Sequence, residues 1–132
     1  MSGNFADSNV LLYLPDQRDA KADIAERLLE TEVSISVQVL NEIVSVMRGK
    51  WRRTWDEVDD FLDLVRRLVR IHPLDEQTHD LGLLVAKRHK LSIYDSMIVA
   101  AALIADCDTL YSEDMHPGLL VDGRLRIVNP FA

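Results

Sequence analysis

The sequence predicts an α/β domain with a mainly parallel central sheet. Short apolar runs at Phe5–Asp7, Val33–Ile35, Val69–His72, Thr109–Tyr111 and in LRIVNPF alternate with longer stretches of helical apolar periodicity. Strands that alternate with helices at this spacing pair in parallel through crossover helices. A length of 132 residues, with 48% hydrophobic and 28% charged residues, suits one domain with one core, expected over residues 1–132.

The elements follow in order. Phe5, Ala6 and Asp7 end a first short strand, and Ser8 to Leu14 turn into a helical piece punctuated by Pro15 and Asp16. Ile24, Leu28 and Leu29 recur between charges from Ala20 to Leu29, the pattern of a surface helix. After the strand at Val33–Ile35, Ser36 is placed to cap a helix from Val37 to Met47. Thr54-Trp55-Asp56-Glu57 is a capping box opening a helix with Val58, Phe61, Leu62, Val65, Leu68 and Val69 on its inner face. A strand near Val69–His72 precedes Pro73, and a helix runs from about Asp75 to His89. Ser92 then caps a buried helix that continues to Ala105, followed by the strand at Thr109–Tyr111 and a last one in LRIVNPF.

Charge and composition narrow the function. A formal net charge of −7 argues against coating nucleic acid by bulk electrostatics, but leaves room for a nuclease whose acids are neutralised by metal ions. Cys107 is the one cysteine, and His72, His79, His89 and His116 lack zinc-site spacing, so a metal here would be held by oxygen. No apolar run approaches membrane-spanning length, and the N-terminal residues show no basic leader or apolar segment, so no membrane contact and a cytoplasmic location are expected.

Four acids are candidates for the chemistry. Asp7 and Asp114 fall just past predicted strand ends, and Asp95 lies in the first turn of a helix entering from the same kind of loop. Ligands of parallel α/β sheets bind beyond the carboxyl ends of the strands. Glu42 closes the edge of a polar arc formed by Gln38, Asn41, Ser45 and Arg48, and so faces sideways into a cleft. Carboxylates at ~4 Å repel by about 4 kcal/mol at an effective dielectric near 20, so protons or cations must sit between any that meet. An all-oxygen cluster suits Mg²⁺ or Mn²⁺, ions that activate water against phosphodiesters. Each acid also has a bland reading: Ser92 to Asp95 is a capping-box spacing, Asp7 a turn or helix cap, Glu42 a solvated surface residue, and Asp114 a loop acid.

FADSNVLLYL, VLNEIVSV, LSIYDSMIVAAAL, LYSEDMHPG and LRIVNPF together resemble a PIN domain of the kind found in VapC-like toxins of bacterial toxin–antitoxin pairs. The resemblance spans Phe5 to Phe131 and implies a PIN-like three-layer α/β/α domain. It implies that Asp7, Glu42, Asp95 and Asp114 are the four catalytic, metal-holding acids, with Ser8, Asn9 and Ser112 in support. The implied activity is endonucleolytic RNA cleavage by metal-activated water, with Mg²⁺ as cofactor and Mn²⁺ able to substitute. An RNA substrate, a cognate antitoxin and a homodimer are implied too. Asp95 would both cap its helix and present a ligand, and Glu113 is an accessory ligand or points away. His116 stands where some relatives carry a further acid.

RGKWRRTW, Arg48 to Trp55, interleaves cations and indoles as single-strand nucleic-acid surfaces do. The simpler reading is a helix connection with both indoles packed on the core. Lys87, Arg88 and Lys90 read most simply as complements to a helix dipole. Two rival functions stay open. An aspartate-based phosphotransfer domain fits the first acid, yet Asp7 lacks an Asp-x-Asp partner and no lysine follows Lys90. A catalytically silent PIN-fold binding module fits the fold, and the complete acid set argues against it.

Overall fold

The structure, a computed structural model, describes residues 3–132. The reading of the N-terminus as leaderless lies outside them where it concerns Met1 and Ser2. Six strands, β1 (Asn4–Ala6), β2 (Val33–Ser36), β3 (Arg70–His72), β4 (Thr109–Tyr111), β5 (Leu120–Val121) and β6 (Leu125–Val128), form one sheet in the order β3-β2-β1-β4-β6-β5. Every pairing is parallel except that of β5 with β6. The helices are α1 (Ser8–Leu11), α2 (Ala20–Leu29), α3 (Val37–Ser45), α4 (Trp55–Leu68), α5 (Glu76–His89) and α6 (Ile93–Ile104). They lie on both sides of the sheet, giving the α/β layering that the sequence predicts.

Strands covered on both faces bury their side chains fully. Phe5, Leu110 and Ile127 stand in register across β1, β4 and β6, and with Ile35 of β2 they are completely buried. Helix starts are set by local chemistry. Asp7, Asp19, Asp75 and Ser92 each accept a backbone N–H in the first turn of the helix that follows, and Thr54 and Glu57 complete a reciprocal capping box. From Ser96 to Leu103, α6 is buried at every position, with α5 packed along it. Gly82 makes that approach possible: a Cβ there would lie 2.5 Å from Met97 Cε and 3.3 Å from the Ser96 carbonyl oxygen.

The chain adds β2 and β3 on one side of β1, then crosses back to place β4 on the other side. The order therefore reverses between β1 and β4, and the crevice beyond their carboxyl ends is where such a sheet accepts ligands. The Asp7 N–H donates to the Tyr111 carbonyl at 2.9 Å, joining the two strand ends at that crevice.

Several local expectations are corrected. Ser36 occupies the N-cap of α3, but its hydroxyl makes no capping bond and is buried without a partner. The helix expected to reach Met47 ends at Ser45 and passes into a π-helical turn, Val46–Lys50. In α2 the fully buried residues are Ala22 and Ala25, while Leu28 and Leu29 are half-buried against the core. Leu68 is exposed at the end of α4. Strand β5 was not anticipated, although Asp122 and Gly123, both at positive φ, form the kind of turn that Asp-Gly signals between paired strands. Among the described residues no helix is long and apolar enough to cross a membrane.

Candidate active site

The crevice opens into a cleft of about 850 Å³. Asp7, Glu42, Asp95 and Asp114 all line it, although they come from the end of β1, the middle of α3, the first turn of α6 and the loop after β4. The fold thus brings together all four acids singled out in the sequence.

Asp7 is the most enclosed, with 4% of its surface exposed. Its Oδ1 accepts the Ser8 N–H at 2.7 Å, and its Oδ2 accepts the Ser112 hydroxyl at 2.8 Å. Asp7 therefore caps α1 while its other oxygen faces β4. Burial raises its pKa from 3.8 to about 6; the Ser112 bond opposes the rise, and the negative charges of Glu42 and Asp95 add to it. The Ser8 hydroxyl bridges toward α3, donating to Glu42 Oε1 at 2.9 Å. Gln38, one helical turn before Glu42, donates to the other oxygen at 3.3 Å. This support was missed as such in the sequence, where the four-residue spacing on one polar arc was its signal.

Asn9 and Ser112 form the second brace. Asn9 Nδ2 donates to the Ser112 hydroxyl at 3.2 Å, and its Oδ1 accepts the Glu113 N–H at 3.1 Å. Ser112 Oγ also accepts the Met115 N–H at 3.1 Å. The two Asn9 bonds span more than a hundred residues of sequence and hold the β4 loop against the start of α1.

Asp95 departs from the capping-box expectation. Its backbone N–H donates to Ser92 Oγ at 3.1 Å, so Ser92 is the cap; Asp95 forms the box's third position without the reciprocal bond to the Ser92 backbone. Its carboxylate is left facing the cleft. Burial raises its pKa, the Ser92 side chain opposes this, and the charge of Asp114 adds to the rise. Asp114 itself is exposed at the mouth.

Glu113 is committed elsewhere. It forms an ion pair with Lys21 Nζ and accepts the Tyr13 hydroxyl, and Lys21 also lies over the Tyr13 and Phe131 rings at 5.0 and 5.4 Å. The pairing pulls the Glu113 carboxyl below its ordinary pKa. Lys21 and Tyr13 were not anticipated, since nothing local in the sequence links them to Glu113. His116 is exposed.

Among the described residues none of the four acids has a Lys, Arg or His ion-pair partner. Nor do three of them stand close enough, as placed, to hold one ion. An oxygen-only donor set, drawn from four segments and left without ion-pair partners, fits a hard divalent ion in its chemistry. Its spacing is that of an open site.

Comparison with known proteins concerns the fold. Among solved structures, VapC20 of Mycobacterium tuberculosis, described as a sarcin–ricin loop cleaving toxin, superposes with a TM-score of 0.70 at 19% identity, covering 86% of this chain and 91% of that one. A toxin–antitoxin complex from Klebsiella pneumoniae gives 0.71 at 20% identity over 98% of both chains. VapBC-1 from nontypeable Haemophilus influenzae gives 0.65 at 17% identity, also over 98% of both. No curated protein sequence matches significantly. The PIN domain family model matches residues 5–116, a span that contains all four acids, and the chain belongs to the PIN domain family.

Proposed function

We propose that residues 1–132 act as one domain, a metal-dependent endoribonuclease that serves as the toxin of a toxin–antitoxin pair in the cytoplasm. The observation that carries this reading is four carboxylates without ion-pair partners lining one cleft, one of them buried with its pKa raised to about 6. Like charges held this way cost stability unless a cation is accommodated.

Asp7, Glu42, Asp95 and Asp114 would hold Mg²⁺, or Mn²⁺ in its place. Such an ion, when bound, supplies an activated water and charge stabilisation for an RNA phosphodiester under attack. The chain's own residues orient the donors. Ser8 ties Asp7 to Glu42, Ser112 and Asn9 fix the outer oxygen of Asp7, and the rigid α6 behind Asp95 holds its carboxylate at the wall.

The structural relatives, among them a toxin–antitoxin complex and VapBC-1, support a cognate antitoxin as partner. A guanidinium from that antitoxin could occupy the same acids. A homodimer is part of the proposal. The second reading, a catalytically silent PIN-fold binding module, is favoured by the open spacing of the acids. RNA cleavage by the purified chain, abolished by a chelator and restored by Mg²⁺ or Mn²⁺, separates the two. So does thermal unfolding: Mn²⁺ at about 100 times its Kd stabilises a native site by ~2.7 kcal/mol. Cleavage indifferent to chelation, or no cleavage and no Mn²⁺-induced shift, would refute the enzyme reading.

A further inference from the structure

The segment Arg48–Trp55 holds four cations and no acid in a chain of net charge −7. The π-helical turn and the left-handed Arg52, at φ 52°, fold it back so that Lys50, Trp51 and Arg53 line the acid cleft. Its two indoles part company. Trp51 is half-buried and packs against the core, whereas Trp55 is 58% exposed, the second most exposed of the large apolar side chains at the surface. The Arg48 guanidinium lies 4.3 Å from the centre of the Trp55 ring, and its Nη1 donates to the Arg53 carbonyl at 2.8 Å. One face of the indole is thus covered by a cation, and the stacked pair is tethered to a residue of the cleft rim.

A large indole held by a guanidinium, in one segment with cations that line an acid cleft, has the composition of a platform for one unpaired base and its flanking phosphates. Lys50 has no ion-pair partner among the described residues, and Arg53 reaches only the exposed Glu57 at 3.2 Å. Both are available to phosphates. A duplex keeps its base faces stacked and offers none to the indole, so the platform selects a single strand or loop.

We propose that the Arg48–Trp55 stack, with Lys50 and Arg53, is a subsite that seats single-stranded RNA beside the acid cleft. It deepens the proposed ribonuclease reading and rests on it for its role in cleavage, though not for binding itself. The test uses the full chain and a labelled RNA strand of mixed sequence, about ten nucleotides long, in chelator, with a duplex of the same length as control. Trp55→Ala is expected to raise the Kd for the strand by about five-fold or more, with Trp55→Phe recovering most of the loss. Lys50→Gln is expected to flatten the slope of log affinity against log salt by about 0.7. With Mn²⁺ present, Trp55→Ala should raise KM for cleavage and leave kcat unchanged.

Strand binding by Trp55→Ala within about two-fold of wild type overturns the platform. So does equal binding of strand and duplex by wild type. If Trp55→Ala binds RNA normally but loses a partner protein, the patch is a protein-docking face and the proposal fails. Should wild type cleave no RNA under any metal, the ribonuclease reading falls, while the binding arm still decides the subsite.

Discussion

Replacing Asp7 with Asn is the most direct probe of the acid cluster. Folding lifts the Asp7 pKa from 3.8 to about 6, mainly through burial and then through the charges of Glu42 and Asp95. That difference corresponds to ~3 kcal/mol of cost to the native state when the carboxylate is ionised. The folded protein holds the proton more tightly than the unfolded chain, so stability from this group falls as pH rises. The cost is absent below about 3.8 and complete above about 6. Asn removes the charge but turns an amide toward Ser112 and Asn9, which now donate to Oδ2, and forfeits roughly one hydrogen bond, ~1 kcal/mol. In chelator near pH 8, Asp7→Asn should therefore be more stable than wild type by ~2 kcal/mol, or about 6–10 °C in Tm for a chain of this length. The advantage should shrink as pH falls through 6 and reverse slightly near pH 4. Thermal unfolding by circular dichroism across pH measures it. A variant less stable than wild type near pH 8, or a gain that ignores pH, would refute the repelling-cluster argument.

Three further outcomes follow from the same geometry. Glu42→Gln, which can keep the Ser8 bond but turns an amide toward the longer Gln38 contact, should lose RNA cleavage by about 10²-fold or more while melting within a few degrees of wild type; full activity would remove Glu42 from the site. Gly82→Val should cost about 1–3 kcal/mol by driving α5 off Met97 and the Ser96 backbone, and, since Ser96 adjoins Asp95, should weaken the Mn²⁺-induced rise in Tm. Lys21→Met should raise the Glu113 pKa toward its ordinary value, as seen by carboxyl carbon NMR. In wild type the depressed Glu113 pKa contributes stability above its unfolded value that is lost as pH falls, and the variant should lack that part of the acid profile.

Local physics was readable along the chain because its causes lie within a few residues. The Thr54–Glu57 capping box, the Ser92 cap and the boundaries Ala20–Leu29 are all set by neighbours one to four positions apart. The π-helical turn escaped because the apolar pattern that marks a helix does not tell an α from a π bond; the turn closes with the Trp51 N–H on the Val46 carbonyl at 3.0 Å. Strand β5 escaped for a different reason. Two residues are too short for periodicity, and only the Asp122–Gly123 turn marked it.

By itself the sequence determined the alternation of strands and helices, hence a parallel sheet, and the positions of Asp7, Asp95 and Asp114 at strand ends or a helix entrance. Those follow from pattern and topology rules that act along the chain. Tertiary structure alone decided how each acid is solvated and paired. It buried Asp7 and left it without a cation, diverted Glu113 to Lys21 across 92 residues, and exposed Trp55 while half-burying Trp51. Burial and ion pairing depend on which distant segments meet, and proton affinity follows from both, so the sequence places the acids while the folded chain sets their chemistry.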